Sequence, residues 1–142
     1  MRIVVDPKLK ARDFRIIRDR LYAYNDSRID SADGRFGVLI KDDSGATVGG
    51  LAAHWYYDWM FIELLFVPES LRGQDFGTSL MREAEHYARD KQFTGIWLDT
   101  FGFQARGFYE KLGYTVFGEL PDYPAGHSRY FLSKRLDGAA AA

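Results

Sequence analysis

The sequence contains no cysteine. Disulfides, thiol nucleophiles and cysteine-ligated metals are therefore excluded, and the chain is compatible with a reducing cytoplasm. It also lacks net charge of either sign. Nineteen Lys and Arg stand against twenty Asp and Glu, leaving −1 at pH 7. That balance offers no electrostatic basis for binding nucleic acid or a membrane surface. No apolar run approaches the ~20 residues of a membrane span. Only three apolar residues follow Arg2 before Asp6, so no secretory leader is expected and the cytoplasm is the expected compartment. There is no internal repeat. His54, His86 and His127 fall at no local metal-ligand spacing, and neither a Gly-x-Ser-x-Gly elbow nor a Walker loop occurs. No metal is expected.

What is present is 142 residues, enough for one domain with a real core, of which 46% are hydrophobic and 16% aromatic. Ile3-Val4-Val5 reads as a short strand stopped at Asp6-Pro7. Phe14, Ile17, Leu21 and Tyr24 recur at helical spacing and predict a helix from about Lys8 to Tyr24. A polar loop follows to Gly34. Phe36, Val38 and Ile40 alternate as a strand, Asp42 to Gly45 forms a hairpin turn, and Val48 to Tyr57 returns. Gly49 and Gly50 within that strand mark a bulge or a close backbone approach. Met60 to Val67 is nearly all apolar, so both its faces are expected to be covered.

From Phe76 the period changes to 3.6, and Leu80, Met81, Ala84 and Ala88 line one stripe of a helix. Ile96 to Phe101 is the next strand, and the intervening helix makes a parallel crossover. Ala105 to Leu112 is a short helix closed by Gly113; strands at Tyr114 to Gly118 and Ser128 to Arg135 complete the chain. The expectation is an α/β domain over residues 1–137, with a mixed sheet of about seven strands and about four helices. Residues 138–142, Gly-Ala-Ala-Ala-Ala, form a tail outside the fold.

The chain is organised around Leu64 to Thr78. An apolar run ends at Pro68, a polar turn leads to Arg72-Gly73-Gln74-Asp75-Phe76-Gly77, and a helix begins. Strand, glycine-containing loop and helix N-terminus together aim free N–H groups and a positive dipole end at one spot, which suits a phosphate. Arg72 adds a cation there. An ordinary strand–turn–helix connection accounts for the same residues equally well. Glu63 is the lone acid of its strand. An unpaired buried carboxylate is costly, so Glu63 either pairs with a cation or faces a cleft. On strict alternation it shares a face with Leu65 and Val67. Tyr109 should lie at the edge of the stripe formed by Phe108 and Leu112, either packing or presenting its hydroxyl.

Arg72-x-x-Asp75-x-Gly77 resembles motif A of the GCN5-related N-acetyltransferase (GNAT) superfamily, Arg/Gln-x-x-Gly-x-Gly/Ala, with Asp75 in a glycine position. Phe108-Tyr109-Glu110-Lys111-Leu112-Gly113-Tyr114 is similar to its motif B. The order and separation of the two also match, and the element order extends the resemblance over nearly the whole chain.

The resemblance implies the GNAT fold and acetyl-CoA as co-substrate. It implies a small-molecule primary amine as acceptor, attacked directly in a ternary complex. Glu63 would be general base, its pKa raised by partial desolvation, though an ion-pair or substrate-binding role stays open. Tyr109 would protonate the departing thiolate. Backbone groups of Leu65, Phe66 and Val67 would polarise the thioester. Arg72, Gly73, Gln74, Asp75, Phe76, Gly77 and Thr78 would hold the pyrophosphate, and Gln104 would bind the pantetheine arm or a helix-end amide. Transfer to a protein or peptide amine, or a non-catalytic CoA-binding module, are the rival readings. A homodimer is left open.

Overall fold

The computed structural model describes residues 1–30 and 32–138. Ser31 of the expected loop and residues 139–142 of the expected tail lie outside the described residues. Two compact units are present, Met1–Ala32 and Asp33–Ala142.

In the first unit, helix α1 runs Ala11–Asp26. Its apolar stripe is the expected one, but it begins three residues later than the periodicity suggests. The Asp6 carboxylate accepts the Lys8 N–H at 3.0 Å, a local turn that occupies the backbone just before the helix. At the other end Ser27 Oγ donates to the Tyr24 carbonyl at 2.6 Å. Ile3-Val4-Val5 forms no strand. Three apolar residues supply few ladder bonds, and a strand exists only where an edge accepts it.

The second unit is built on a six-stranded sheet in the order β1-β2-β3-β4-β6-β5. Strands β1 (Asp33–Lys41), β2 (Thr47–Tyr56) and β3 (Trp59–Phe66) form an antiparallel meander. The β1–β2 turn is set by Asp42, whose carboxylate accepts the Ser44 and Ala46 N–H groups at 2.9 and 3.0 Å. A 3₁₀ turn at Glu69–Leu71 and helix α2 (Phe76–Asp90) cross over to β4 (Gly95–Phe101), which is parallel to β3. Helix α3 (Arg106–Lys111) leads to β5 (Thr115–Leu120), and β6 (Arg129–Arg135) inserts between β4 and β5, antiparallel to both. The described residues therefore carry six strands and three α-helices where the sequence suggested about seven and about four. The strand missing is the one expected at Ile3-Val4-Val5.

Helix α2 covers one face of the sheet. Its Leu80, Met81, Ala84 and Ala88 are buried together with Leu51, Met60, Ile62, Ile96, Leu98 and Leu132. Burying each large side chain contributes about 1.5–3 kcal/mol. Glu85 also lies on this buried stripe. Lys134 Nζ donates to its two carboxylate oxygens at 3.0 and 3.2 Å, and the Tyr114 hydroxyl donates at 3.1 Å. Gly50 permits β1 and β2 to approach as expected: its φ is +145°, and a Cβ there would stand 2.3 Å from the Val38 carbonyl oxygen.

Two irregularities position the site. The first is a bulge in β3. Ala53 pairs with Ile62 and Ala52 with Leu64, so Glu63 is the extra residue between them. Bulges re-aim side chains in this way. The second is a splay between parallel β3 and β4. Their pairing runs from Trp59↔Gly95 to Ile62↔Leu98 and stops. Beyond it, Glu63–Phe66 and Asp99–Phe101 diverge and open a cleft. This corrects the expectation that both faces of β3 are covered: Leu64 and Phe66 are 68% and 56% exposed. Apolar residues there line clefts instead of the core.

Candidate functional site

The connection from β3 to α2 is a loop with two left-handed backbone positions, Gly73 at φ +80° and Asp75 at φ +63°. The first i→i−4 bond of α2 runs from the Ser79 N–H to the Asp75 carbonyl at 3.0 Å. The amides of Phe76, Gly77 and Thr78 therefore precede the helical ladder and point out of its N-terminus. Arg72 Nε donates to the Val67 carbonyl at 3.3 Å, tying the loop to the end of β3. Gly77 allows α2 to meet α3, since a Cβ there would lie 3.2 Å from the Phe108 ring.

These residues line a groove of about 470 Å³. It takes in Leu65, Phe66 and Val67 at one end, Arg72, Gly73 and Asp75 in the loop, and Phe76, Gly77 and Thr78 at the helix start. Gln74 is not among its walls; its side-chain amide donates to the Ser70 carbonyl at 3.3 Å. Leu71, Ala105 and Phe108 also line the groove, and the sequence reading did not select them. Their signal was local: Leu71 lies within the loop stretch, and Phe108 opens motif B.

A second cleft of about 220 Å³ occupies the β3–β4 splay. It shares Leu65, Ala105 and Phe108 with the groove, and its wall includes Glu63, Asp99, Gln104 and Tyr109. Glu63 and Tyr109, distant in sequence, thus face one space. Gln104 lines the cleft but spends its side-chain oxygen on the β4–α3 turn, accepting the Phe101 N–H at 2.9 Å and the Thr100 hydroxyl at 3.2 Å.

Glu63 does not share the face of Leu65, because the bulge breaks the alternation. Its Oε1 instead meets His54 Nδ1 on β2 and lies 3.4 Å from Arg35 Nη1 on β1. The carboxyl is held below its ordinary 4.5, first by the His54 hydrogen bond and next by the Arg35 charge, which together outweigh desolvation. This reverses the expected upward shift: local cations and donors prevail where burial is partial. A depressed carboxyl stabilises the fold fully above its ordinary pKa, and that contribution is lost as pH falls through the lower folded value.

Tyr109 is buried at 8% exposure and not at the edge of the stripe. Burial, then the charge of Asp99, pushes its pKa above 10. The phenol therefore stays protonated at neutral pH and can donate. Asp99 is paired with Arg129 Nη2 at 2.7 Å.

Asp75 adopts the left-handed conformation that glycine would adopt without cost, and its side chain caps no amide. Asp75→Gly should therefore tighten CoA binding, more so at low salt, because it removes a carboxylate from the groove wall. Isothermal titration at two ionic strengths checks this. Weaker binding would show that Asp75 orders the loop.

The family described as "Acetyltransferase (GNAT) family" matches residues 7–114. A protein of Agrobacterium fabrum named as an acetyltransferase is 36% identical over 137 residues, covering 96% of this chain and all of that one. Blasticidin-S acetyltransferase of Streptomyces morookaense is 37% identical over 102 residues, covering 71% of this chain and 75% of the relative. A crystal structure from Agrobacterium tumefaciens, described as a candidate acetyltransferase, superposes with a TM-score of 0.90 at 35% identity, over 95% of this chain and 99% of that one. The bulged and splayed sheet, the loop at the start of α2 and these likenesses agree: the chain belongs to the GNAT acetyltransferase family.

Proposed function

We propose that residues 1–137 act as one transferase domain that moves the acetyl group of acetyl-CoA to a primary amine of a small molecule in a ternary complex. The observation that carries this reading is the adjacency of the two clefts, which share the walls Leu65, Ala105 and Phe108. The groove at the α2 N-terminus lies beside the splay walled by Glu63 and Tyr109.

The groove fits a pyrophosphate and its extended arm. Arg72 and the amides of Gly73, Phe76, Gly77 and Thr78 would hold the phosphates. The open edge of β3 beyond Ile62 would receive the arm, with backbone groups of Leu65 to Val67 directed at the thioester carbonyl. Acetyl-CoA supplies an activated acyl group on a thiol leaving group. An alkylamine is mostly protonated at neutral pH, so it must lose a proton before attack. Glu63 is the carboxylate on which that deprotonation depends, and Tyr109 donates the proton that the leaving sulfur needs. Anchoring the cofactor remotely directs binding energy into orientation.

The 37% identity to blasticidin-S acetyltransferase favours a small-molecule acceptor. Acetyl-CoA should raise the melting temperature, by an amount equivalent to about 2.7 kcal/mol at a hundredfold excess over Kd. Arg72→Ala should reduce that shift. Turnover is then read as thiol release on blasticidin S and a panel of primary amines. No melting shift at millimolar acetyl-CoA would refute the transferase reading. A shift without turnover on any amine would favour a non-catalytic CoA-binding module, the reading that the Asp75 carboxylate in the groove wall supports.

A further inference from the structure

We propose that the group that accepts the proton of the acceptor ammonium is Nε2 of His54, with Glu63 as the carboxylate that orients the ring and stabilises the imidazolium formed. This inference rests on the acetyltransferase reading and names the route of its deprotonation step.

The geometry is that of a carboxylate–imidazole pair. His54 stands on β2 and Glu63 on the β3 bulge. His54 pairs with Phe61, and Glu63, two residues on from Phe61 and next to buried Ile62, turns to the same face, where Oε1 reaches His54 Nδ1. Glu63 lines the cleft, and His54 stands beside it on β2 with its side chain 41% exposed to solvent. A carboxylate at Nδ1 fixes the neutral imidazole as the Nδ1–H tautomer and leaves the Nε2 lone pair available. The ring also packs against Phe61, with centroids 5.3 Å apart.

The surrounding charges favour this assignment. Arg35 is 3.4 Å from the same Glu63 oxygen, so the carboxylate faces two donors and keeps little basicity of its own. Asp99 lines the cleft from β4 but is already neutralised by Arg129, and Tyr109 on α3 is a donor. An imidazole ordinarily titrates between about pH 5 and 8, the range that suits a base at neutral pH. The step balances simply. The ammonium proton passes through water past Glu63 to Nε2, giving free amine and imidazolium. Glu63 stays ionised and stabilises that cation, and Nε2 releases the proton to solvent before the next turnover.

The test uses the whole chain with acetyl-CoA and one amine on which the wild-type protein is active. His54→Ala and His54→Gln should each lower kcat about 10²-fold or more, while the melting shift with acetyl-CoA persists as proof of folding. Added imidazole should restore turnover to His54→Ala, whose vacated space admits it, and not to His54→Gln. The acidic limb of the wild-type rate profile should vanish in His54→Gln. That limb should hold its position across amines of different pKa. Wild-type turnover in His54→Gln with the limb unchanged would overturn the proposal while leaving the transferase reading intact. So would a failure of imidazole to rescue a folded His54→Ala. Absence of turnover by the wild-type chain on every amine overturns both.

Discussion

Glu63→Gln is expected to lower turnover about 10²-fold or more, with acetyl-CoA affinity little changed. The substitution keeps the shape of the side chain at the bulge and removes its charge. Without that charge the His54–Glu63 pair can no longer stabilise an added proton, and the ammonium is not converted to a nucleophile. Tyr109→Phe is the companion experiment. It deletes only a phenolic proton from a buried ring, so packing is nearly preserved and transfer should slow by at least about 10-fold. The loss should be smaller where water can replace the hydroxyl. Both variants are to be compared on one amine, with melting temperature as the control for folding. Wild-type rates in both folded variants would remove these residues from the chemistry and reduce catalysis to positioning by the groove.

The second large effect is on stability. Lys134→Met should destabilise the protein by about 3–5 kcal/mol, a drop in melting temperature on the order of 10 °C. Lys134 Nζ reaches both oxygens of Glu85 and also donates to the Leu112 carbonyl at 2.8 Å. Glu85 is 6% exposed on the buried face of α2, and among the described residues removing the cation leaves its carboxylate with Tyr114 and the more distant Arg89. Replacing both members, Glu85→Leu with Lys134→Met, should recover much of the loss, because an apolar pair carries no desolvation cost. An unchanged midpoint in the single variant would show that water reaches Glu85 freely. The same network makes stability fall in alkali. Burial and the Glu85 charge raise the Tyr114 pKa far above 10, so its contribution is complete below pH 10 and is lost only as pH rises beyond.

Much of the architecture was legible because it is local. The stripe Leu80, Met81, Ala84 and Ala88 specifies α2 by period alone, and the alternation of Phe36, Val38 and Ile40 specifies β1. Asp42 to Gly45 specifies its turn through one carboxylate and two amides. The groove was legible for the same reason: Arg72 to Thr78 is one continuous segment, and a strand–loop–helix start aims its own amides. Ile3-Val4-Val5 was misread, because a strand requires a partner edge that no local pattern supplies. Gln74 and Gln104 were selected by adjacency, and only the folded chain shows their side chains bonded within their own turns.

The sequence by itself determined that this is a cysteine-free α/β chain with a phosphate-suited loop between an apolar strand and an amphipathic helix. Those features follow from composition and short-range spacing, and they carry the family resemblance. Tertiary structure alone decided what Glu63 does. Alternation along β3 assigns it to the face of Leu65, and burial among apolar neighbours argues for a raised pKa. The bulge opposite Ala52 and Ala53 breaks the first conclusion, and His54 and Arg35 from the neighbouring strands reverse the second. The register of β1 against β2 and of β2 against β3 brings His54 and Arg35 to the carboxylate from nine and twenty-eight residues away. Strand register is a property of the pairing and not of either strand, which is why neither stretch read alone contains it.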